Sequence, residues 1–147
     1  MSVAANLPPL RLGIVGLGVA GSIMVMNLRH HPGVKLVAAC DLNQSALECF
    51  ASDFNAFTTA DLSELLALPD LDAVYIATPH QLHREQAIQA AAAAGIHLIV
   101  EKPLALTLGD CDQIIEAVAA NGVQLVVGHT HSFDPAVAKM AAVIASG

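Results

Sequence analysis

Basic side chains are scarce in this chain of 147 residues. It has only six lysines and arginines against 13 aspartates and glutamates, which gives a formal net charge of −7. The six basic residues are scattered along the sequence, so they form no stripe that could follow a phosphate backbone. The composition therefore argues against nucleic acid as a partner.

Cysteine is also rare, with three residues at Cys40, Cys49 and Cys111. They are odd in number and far apart, and no two of them form a CxxC pair. A disulfide framework and a zinc ribbon both depend on paired cysteines. The sequence therefore predicts reduced thiols that are buried or half-buried.

Long uninterrupted apolar runs are missing, although 55% of the residues are hydrophobic and the mean hydropathy is +0.61. The longest candidate, residues 12–28, carries four glycines and two polar residues. It falls short of the ~20 apolar residues that a membrane-spanning helix needs. Residues 1–9 contain no lysine or arginine, so the basic start of a signal peptide is missing. We predict a cytoplasmic protein without a membrane partner and with a flexible N-terminal tail over residues 1–9.

Strand and helix signals alternate along the rest of the chain, so residues 10–147 are predicted to form one α/β domain. Strands are predicted at 10–15, 34–40, 55–58, 71–77, 96–100 and 123–127. Helices are predicted at 19–30, 46–54, from 61 onwards, 83–94, 108–120 and 135–145. The short connections indicate a parallel sheet with right-handed crossovers. A glycine-rich turn after the first of six strands predicts a Rossmann-type, doubly wound αβα sheet with the order 3-2-1-4-5-6.

The glycine-rich turn is the run Gly16, Leu17, Gly18, Val19, Ala20 and Gly21. In a strand-turn-helix unit these glycines permit a tight turn, close approach to a diphosphate, and packing of the helix on the sheet. The diphosphate would then lie on free N–H groups at the helix N-terminus, where no basic side chain is required. A glycine pattern of this kind also arises by chance, so the interpretation depends on the residues that follow other strands.

Asp41 directly follows the second predicted strand, twenty positions after Gly21. A carboxylate there can accept hydrogen bonds from ribose hydroxyls and repels a 2′-phosphate, so it favours NAD over NADP. The alternative is that Asp41 caps the following helix. Asn43 or Ser45 is better placed to cap, which would leave Asp41 free beside Leu42 for the nucleotide.

Polar residues also follow the later strands, at the edge where open α/β sheets bind ligands. The fourth strand ends at Ala77 and is followed by Thr78, Pro79, His80 and His83, the fifth is followed by Glu101, Lys102 and Pro103, and the sixth by His129 and His131. Pro103 restricts Lys102 to an extended conformation. Lys102 could share in proton transfer with a substrate hydroxyl or hydrogen-bond its oxygen. The alternative is an ordinary surface lysine paired with Glu101.

Taken together, these motifs resemble the N-terminal domain of the Gfo/Idh/MocA oxidoreductases, the glucose–fructose oxidoreductase and inositol dehydrogenase group. The Glu101-Lys102-Pro103 triplet is the specific part, and the resemblance extends over nearly the whole chain from Leu10. It implies an NAD-binding domain of an enzyme that transfers hydride to or from a sugar, polyol or cyclic diol. It also implies that Lys102 lies beside the nicotinamide and substrate, and that Glu101 and Pro103 position Lys102 and the nicotinamide ribose or ring. Lys102 and His129 are the predicted catalytic residues.

Two departures from the family pattern limit what the resemblance carries over. Ser132 stands where the family commonly has an arginine, so substrate contacts of that arginine are not expected here. The segment that includes Ser132 is closer to dihydrodiol and dihydroxyphthalate dehydrogenases, which suggests a cyclic diol. Family members also continue into a second domain that supports homo-oligomers and acid–base chemistry. We expect that domain to lie outside this chain, and the chain alone to bind NAD but to turn over substrate poorly.

Two other classes of function remain open from the sequence. One is a stand-alone NAD-binding sensor module without catalysis. The other is a metal-dependent hydrolase, because His80, His83, His129, His131 and Asp134 supply imidazoles and a carboxylate near one edge. That class would leave the glycine pattern without a role, and no metal is expected.

Overall fold

The computed structural model of the chain describes residues 7–93, 95–129 and 134–147. Its strands are β1 (Leu10–Val15), β2 (Val34–Cys40), β3 (Phe57–Thr59), β4 (Ala73–Ile76), β5 (His97–Glu101) and β6 (Leu125–Gly128). Its α-helices are α1 (Val19–Leu28), α2 (Gln44–Phe54), α3 (Leu62–Leu66), α4 (His83–Ala92), α5 (Leu108–Asn121) and α6 (Pro135–Ala145), with a 3-10 turn at His80–Leu82.

The strands form one parallel sheet in the order β3-β2-β1-β4-β5-β6, which confirms the predicted topology. The order reverses between β1 and β4, because the chain crosses from β3 back past β1 before it adds β4. Loops that follow β1 and β4 are therefore pushed to opposite sides of the sheet, and a crevice opens between them.

Alternate residues of the central strands pack on opposite faces of the sheet. In β4, Ala73 and Tyr75 join one buried cluster, whereas Val74 and Ile76 join the other. The first cluster lies under α1 and α2, and the second lies under α3, α4 and α5. Because both faces are covered, the buried positions of the central strands are apolar on both faces, as is typical of parallel strands.

Several predicted boundaries shift by a few residues, and capping explains the shifts. Helix α2 begins at Gln44 because the Asn43 side chain accepts the Ala46 N–H at 3.2 Å and caps it. It ends at Asn55, whose left-handed conformation (φ 49°) delays β3 to Phe57. At the end of α5, Gly122 (φ 65°) closes the helix and delays β6 to Leu125.

The structure bears on two further predictions, the N-terminal tail and the lack of a membrane-spanning helix. Most of the predicted tail, residues 1–6, lies outside the described residues, and Leu7 is exposed. Among the described helices, none combines the length and apolar character needed to cross a lipid bilayer.

An ion pair at the opposite edge of the sheet from the loops joins β1 to the start of β4. Asp72 accepts the Arg11 backbone N–H at 2.7 Å and its guanidinium at 3.3 Å. The hydrogen bond from the Arg11 backbone, and then that from its side chain, lower the pKa of Asp72 below its ordinary value of 3.8. The charged carboxylate is thus favoured in the folded state.

The Asp72→Asn variant is expected to be less stable than wild type at pH 7, by no more than about 1 kcal/mol because the pair is partly exposed. A lowered folded-state pKa gives stability above the unfolded-state pKa that disappears as the pH falls through the folded-state pKa. The difference in free energy of unfolding should therefore shrink as the pH falls below 3.8 and be smaller at pH 2.5 than at pH 7, which urea titrations at these two pH values would measure. A difference that persists unchanged at pH 2.5 would contradict this electrostatic origin.

Candidate functional site

The loops at the carboxyl edge of the sheet surround a cavity of about 370 Å³. The cavity lies at the reversal point between β1 and β4. Seven of the predicted cofactor residues line it: Gly16, Gly18, Asp41, Leu42, Ala77, Thr78 and Pro79. The residues that follow three different strands are therefore brought together in one place, as the parallel topology requires.

Two glycines of the turn after β1 are required by the fold itself. Gly16 has φ of +95°, and a Cβ there would lie 2.9 Å from the backbone of Ala77 and Thr78. A Cβ on Gly21 would lie 1.9 Å from the carbonyl oxygen of Gly16. Because neither residue has a Cβ, α1 can pack directly on the turn. Both glycines are therefore required by the packing of the protein itself.

The third glycine has a different role. Gly18 precedes the first residue of α1 with φ of −65°, and a Cβ there would meet no atom within 4 Å. It supplies no side-chain cap for the N–H groups of the first helical turn, at Val19, Ala20 and Gly21. Open space in front of uncapped N–H groups at the positive end of a helix is suited to a phosphate.

Asp41 is tied to the glycine turn rather than free, so this part of the sequence interpretation is wrong. One carboxylate oxygen accepts the Leu17 N–H at 2.6 Å, and the other accepts the Asn43 N–H at 2.7 Å. The capping role falls to Asn43, as predicted. Each carboxylate oxygen has a second lone pair, so Asp41 can still accept a hydrogen bond from a ribose hydroxyl while it holds the turn.

Cys40 also lines the cavity and immediately precedes Asp41. Burial, with a smaller contribution from the Asp41 charge, raises the pKa of its thiol to about 11. The thiol is therefore protonated at neutral pH and is a poor nucleophile. Cys40, Cys49 and Cys111 are all free, as predicted; Cys40 is buried and Cys111 half-buried, but Cys49 is exposed, so the prediction of burial is wrong for that thiol.

The loop after β4 forms the other wall of the cavity. The Thr78 hydroxyl donates to the side-chain carbonyl of Gln86 at 2.5 Å, and both residues line the cavity. Pro79 precedes the 3-10 turn, whose first residue, His80, is exposed. His83 differs from the other predicted cofactor residues because its side chain is only 1% exposed.

The imidazole of His83 lies behind the loops. Its Nδ1 is 2.9 Å from the carbonyl oxygen of Pro103, and its Nε2 is 2.9 Å from that of Thr78. Both ring nitrogens thus face backbone carbonyl oxygens on the two loops, and a neutral ring donates to one of them. In this arrangement the ring offers no free atom to a ligand in the cavity.

The Glu101-Lys102-Pro103 segment begins inside β5, since Glu101 is the last residue of that strand. One Glu101 carboxylate oxygen accepts the Tyr75 hydroxyl at 2.5 Å, and the other accepts the Lys102 backbone N–H at 3.0 Å. Lys102 and Pro103 are exposed and joined by a cis peptide bond. In the described part of the chain, Lys102 forms no ion pair with Glu101, so the surface-pair alternative gains no support.

His129 follows the last strand on the same edge. Glu101 of β5 is in register with Gly128 of β6, so Lys102 and His129 each follow one member of a paired position. His129 is exposed. His131 and Ser132 fall within residues 130–133, outside the described residues.

The metal-site alternative receives no support from the described geometry. Within residues 7–93, 95–129 and 134–147, no three histidine, cysteine, aspartate or glutamate side chains are grouped so that they could hold a metal ion. His131, on which that alternative partly depended, is not among these residues.

Sequence reasoning missed Tyr75 and Gln86, together with the cavity residues Ala60, Leu62 and Leu82. Tyr75 has a signal in retrospect, because it is the single tyrosine of the chain and sits in an otherwise aliphatic strand. Gln86 lies three positions after His83, so both project from neighbouring positions of one helix face. Ala60, Leu62 and Leu82 have the composition of ordinary core residues and carry no such signal.

Comparison with known proteins gives a consistent match. The family model described as "Oxidoreductase family, NAD-binding Rossmann fold", GFO_IDH_MocA, matches residues 10–129. A 1-carboxy-3-chloro-3,4-dihydroxycyclohexa-1,5-diene dehydrogenase from Comamonas testosteroni is 41% identical over 139 residues, which are 94% of this chain and 35% of that protein.

Two crystal structures share the fold along most of the chain. The myo-inositol 2-dehydrogenase from Lactobacillus plantarum superimposes with a TM-score of 0.87 at 28% identity, over 95% of this chain and 42% of that one. GenD2 from gentamicin A biosynthesis, in complex with NAD, gives a TM-score of 0.82 at 32% identity, over 88% of this chain and 37% of that one. The chain thus spans between a third and a half of the length of these relatives.

Proposed function

The chain belongs to the Gfo/Idh/MocA oxidoreductase family as its NAD-binding Rossmann domain, and we propose that it holds NAD for hydride transfer at a hydroxyl or carbonyl carbon. The match over residues 10–129 supports the assignment of residues 10–147 to this domain. The greater length of the relatives supports a second domain in the complete enzyme, and the homo-oligomer stays an expectation from the family resemblance.

The observation that carries the proposal is the cavity at the β1–β4 reversal. It brings together the open position at Gly18, the carboxylate of Asp41 and the apolar side chains of Leu62 and Leu82. The first accommodates a diphosphate, the second accepts ribose hydroxyls, and the apolar side chains of Leu62 and Leu82 provide a surface for a base. These three features fit the three parts of an adenosine diphosphate group.

We favour NAD over NADP because of the charge at Asp41. A 2′-phosphate would be placed next to this carboxylate, which hydrogen bonds from Leu17 and Asn43 hold in place. The residues that follow Asp41 are Leu42, Asn43 and Gln44, so that segment offers no cation to offset the repulsion. GenD2, 32% identical to this chain, was crystallised in complex with NAD.

When bound, NAD supplies an acceptor for the hydride that leaves the carbinol carbon of the substrate. The hydroxyl proton must leave as that carbon becomes a carbonyl. We assign Lys102 and His129 as the groups that accept this proton or hydrogen-bond the oxygen, because both follow paired positions at the ends of β5 and β6. Substrate oxidation by the complete enzyme releases one hydride and one proton, and reduction takes them up.

The substrate class is proposed from the relatives. Two of them are named as dehydrogenases of a dihydroxycyclohexadiene and of an inositol, both of which are rings with neighbouring hydroxyl groups. A cyclic diol or polyol is therefore the substrate that we propose for the complete enzyme, with sugars as the broader class.

The first test is the binding of NADH to this chain, with Asp41→Ala as the variant. Calorimetric titration should give wild type a dissociation constant between micromolar and low millimolar. Loss of the ribose contact and of the bond that holds Leu17 should weaken NADH binding by about tenfold in Asp41→Ala. NADPH should bind wild type more weakly than NADH, and the variant should narrow that gap.

The matched control is Asp112→Asn, at an exposed position on α5. It should leave both dissociation constants unchanged. Absence of NADH binding by wild type, or equal affinity of wild type and Asp41→Ala, would overturn the proposal.

A further inference from the structure

Two polar side chains are buried beneath the Lys102–Pro103 turn. Tyr75 in β4 and His83 at the start of α4 are each 1% exposed. Neither lines the cavity at the β1–β4 reversal. Burial of a hydroxyl or an imidazole costs free energy unless each group is hydrogen-bonded, so their partners indicate what they do.

Tyr75 is connected to Lys102 through Glu101. The Tyr75 hydroxyl donates to one oxygen of the Glu101 carboxylate, and the other oxygen accepts the Lys102 N–H. Burial, and then the hydrogen bond to Glu101, raise the pKa of Tyr75 above its ordinary value, so the hydroxyl keeps its proton and remains a donor. The carboxylate is thereby held in one orientation, with its second oxygen aimed at the turn.

The neighbouring strand leaves room for this carboxylate. A Cβ on Gly128 of β6 would come within 3.2 Å of the same Glu101 oxygen that accepts the Tyr75 hydroxyl. A side chain at position 128 would therefore crowd the bond between Tyr75 and Glu101. The absence of one leaves space for the contact between Tyr75 of β4 and Glu101 of β5.

His83 holds the turn from the other side. Its two ring nitrogens lie at hydrogen-bond distance from the carbonyl oxygens of Pro103 and Thr78, which only accept. A neutral ring donates to one of them, and the imidazolium donates to both. The imidazole therefore lies between the turn and the Thr78 loop, which forms a wall of the cavity.

We propose that Tyr75 and His83 are positioning residues that together set the place of the Lys102–Pro103 turn relative to the cofactor cavity. This proposal rests on the proposed function, because it assigns the purpose of the turn to hydride transfer. Each residue acts through another group: Tyr75 through Glu101, and His83 through two backbone carbonyls.

The polar contacts all end at the candidate site. They reach Thr78, which lines the cavity, and Glu101 and Pro103, which flank the exposed Lys102. Packing alone would be satisfied by phenylalanine or an aliphatic residue at both positions. The hydroxyl and the imidazole add directional bonds to that packing, and these bonds fix the turn in one place.

The experiment uses Tyr75→Phe and His83→Gln in this chain, with two ligands, NADH and ADP-ribose. ADP-ribose lacks the nicotinamide, so it reports on the cavity without the turn. Calorimetry should show NADH binding weakened about fivefold in each variant, as expected for loss of one hydrogen bond. ADP-ribose binding should stay within about twofold of wild type, on the same scale.

A second measurement needs no ligand. In nuclear magnetic resonance spectra of the free protein, the amide proton of Lys102 should resonate downfield because it is bonded to a carboxylate, and it should move upfield in Tyr75→Phe. Phe50→Leu, a buried change in α2, is the matched control. It should lower the free energy of unfolding while the Lys102 resonance and the ratio of the two dissociation constants stay as in wild type.

The outcomes separate the two proposals. If wild type binds neither ligand, the proposed function fails, and the Lys102 amide shift still tests the positioning role. If NADH binds and both variants keep the wild-type ratio, or if Tyr75→Phe leaves the Lys102 amide in place, the positioning role is overturned. His83→Leu, which has no donor, should weaken NADH binding more than His83→Gln, and equal losses would also contradict it.

Discussion

Replacement of Gly21 with alanine is expected to destabilise the domain by about 3 kcal/mol or more, a large share of the stability of a single domain. The added Cβ would lie 1.9 Å from the carbonyl oxygen of Gly16 and 3.0 Å from its carbonyl carbon. Both atoms belong to the backbone, so no side-chain rotation relieves the clash. Helix α1 would have to move away from the turn on which it packs.

Urea titration followed by circular dichroism would measure this loss as a lower midpoint. The control is Gly109→Ala, the same change within helix α5, where the nearest atom is the Thr107 hydroxyl oxygen at 3.9 Å. Alanine has a higher helix propensity than glycine, so that variant should match or slightly exceed wild-type stability. A Gly21→Ala domain within about 1 kcal/mol of wild type would show that α1 shifts easily, against the packing argument.

The topology was predictable from sequence because it follows from repeated local signals. Each strand of the centre is apolar on both faces, and each is followed by a helix or a turn with glycine or proline. These signals define a parallel sheet and, with the glycine turn after β1, its strand order. Boundaries were less predictable, since they depend on single caps. Asn55 in a left-handed conformation moves β3, and no propensity for strand or helix marks it in advance.

The exposed part of the candidate site was predictable for a similar reason. Parallel strands end at one edge, so residues after them converge whatever their side chains are. The buried part was not predictable in this way. Tyr75 lies within an apolar strand, and only the structure shows that its hydroxyl reaches Glu101 rather than solvent. His83 was expected to contact the cofactor, but the structure places it beneath the loops, because α4 begins at that residue and turns its side chain inward.

The position of the Asp41 carboxylate could be predicted from the sequence, but its hydrogen bond to Leu17 could not. Its position at the end of β2 follows from the length of the strand. Its bond to Leu17 arises because β1 and β2 are neighbouring strands with Val15 in register with Cys40. The residues that follow these two strands therefore lie close together. The bond links the glycine turn to the ribose position, and sequence spacing alone contains no such link.

Substitution of Gly18 is expected to weaken NADH binding without loss of stability, because the fold tolerates a side chain there and the diphosphate does not. Aspartate at position 18 can adopt the observed φ of −65°, since the added side chain meets open space. It also caps α1, which lacks a side-chain cap, and places a negative charge at the positive end of the helix. Gly18→Asp should therefore equal or exceed wild type in stability, by up to about 1 kcal/mol.

The same carboxylate occupies the space in which we place the diphosphate, and it repels that group at close range. NADH binding to Gly18→Asp should therefore weaken by about a hundredfold or more. Gly18→Ser, which caps the helix without a charge, separates repulsion from bulk and should lose less affinity than Gly18→Asp. Calorimetry with NADH and urea titration of all three proteins would measure both effects. A variant that gains stability and keeps wild-type affinity would place the diphosphate elsewhere, because only a ligand that approaches this helix end is sensitive to a charge there.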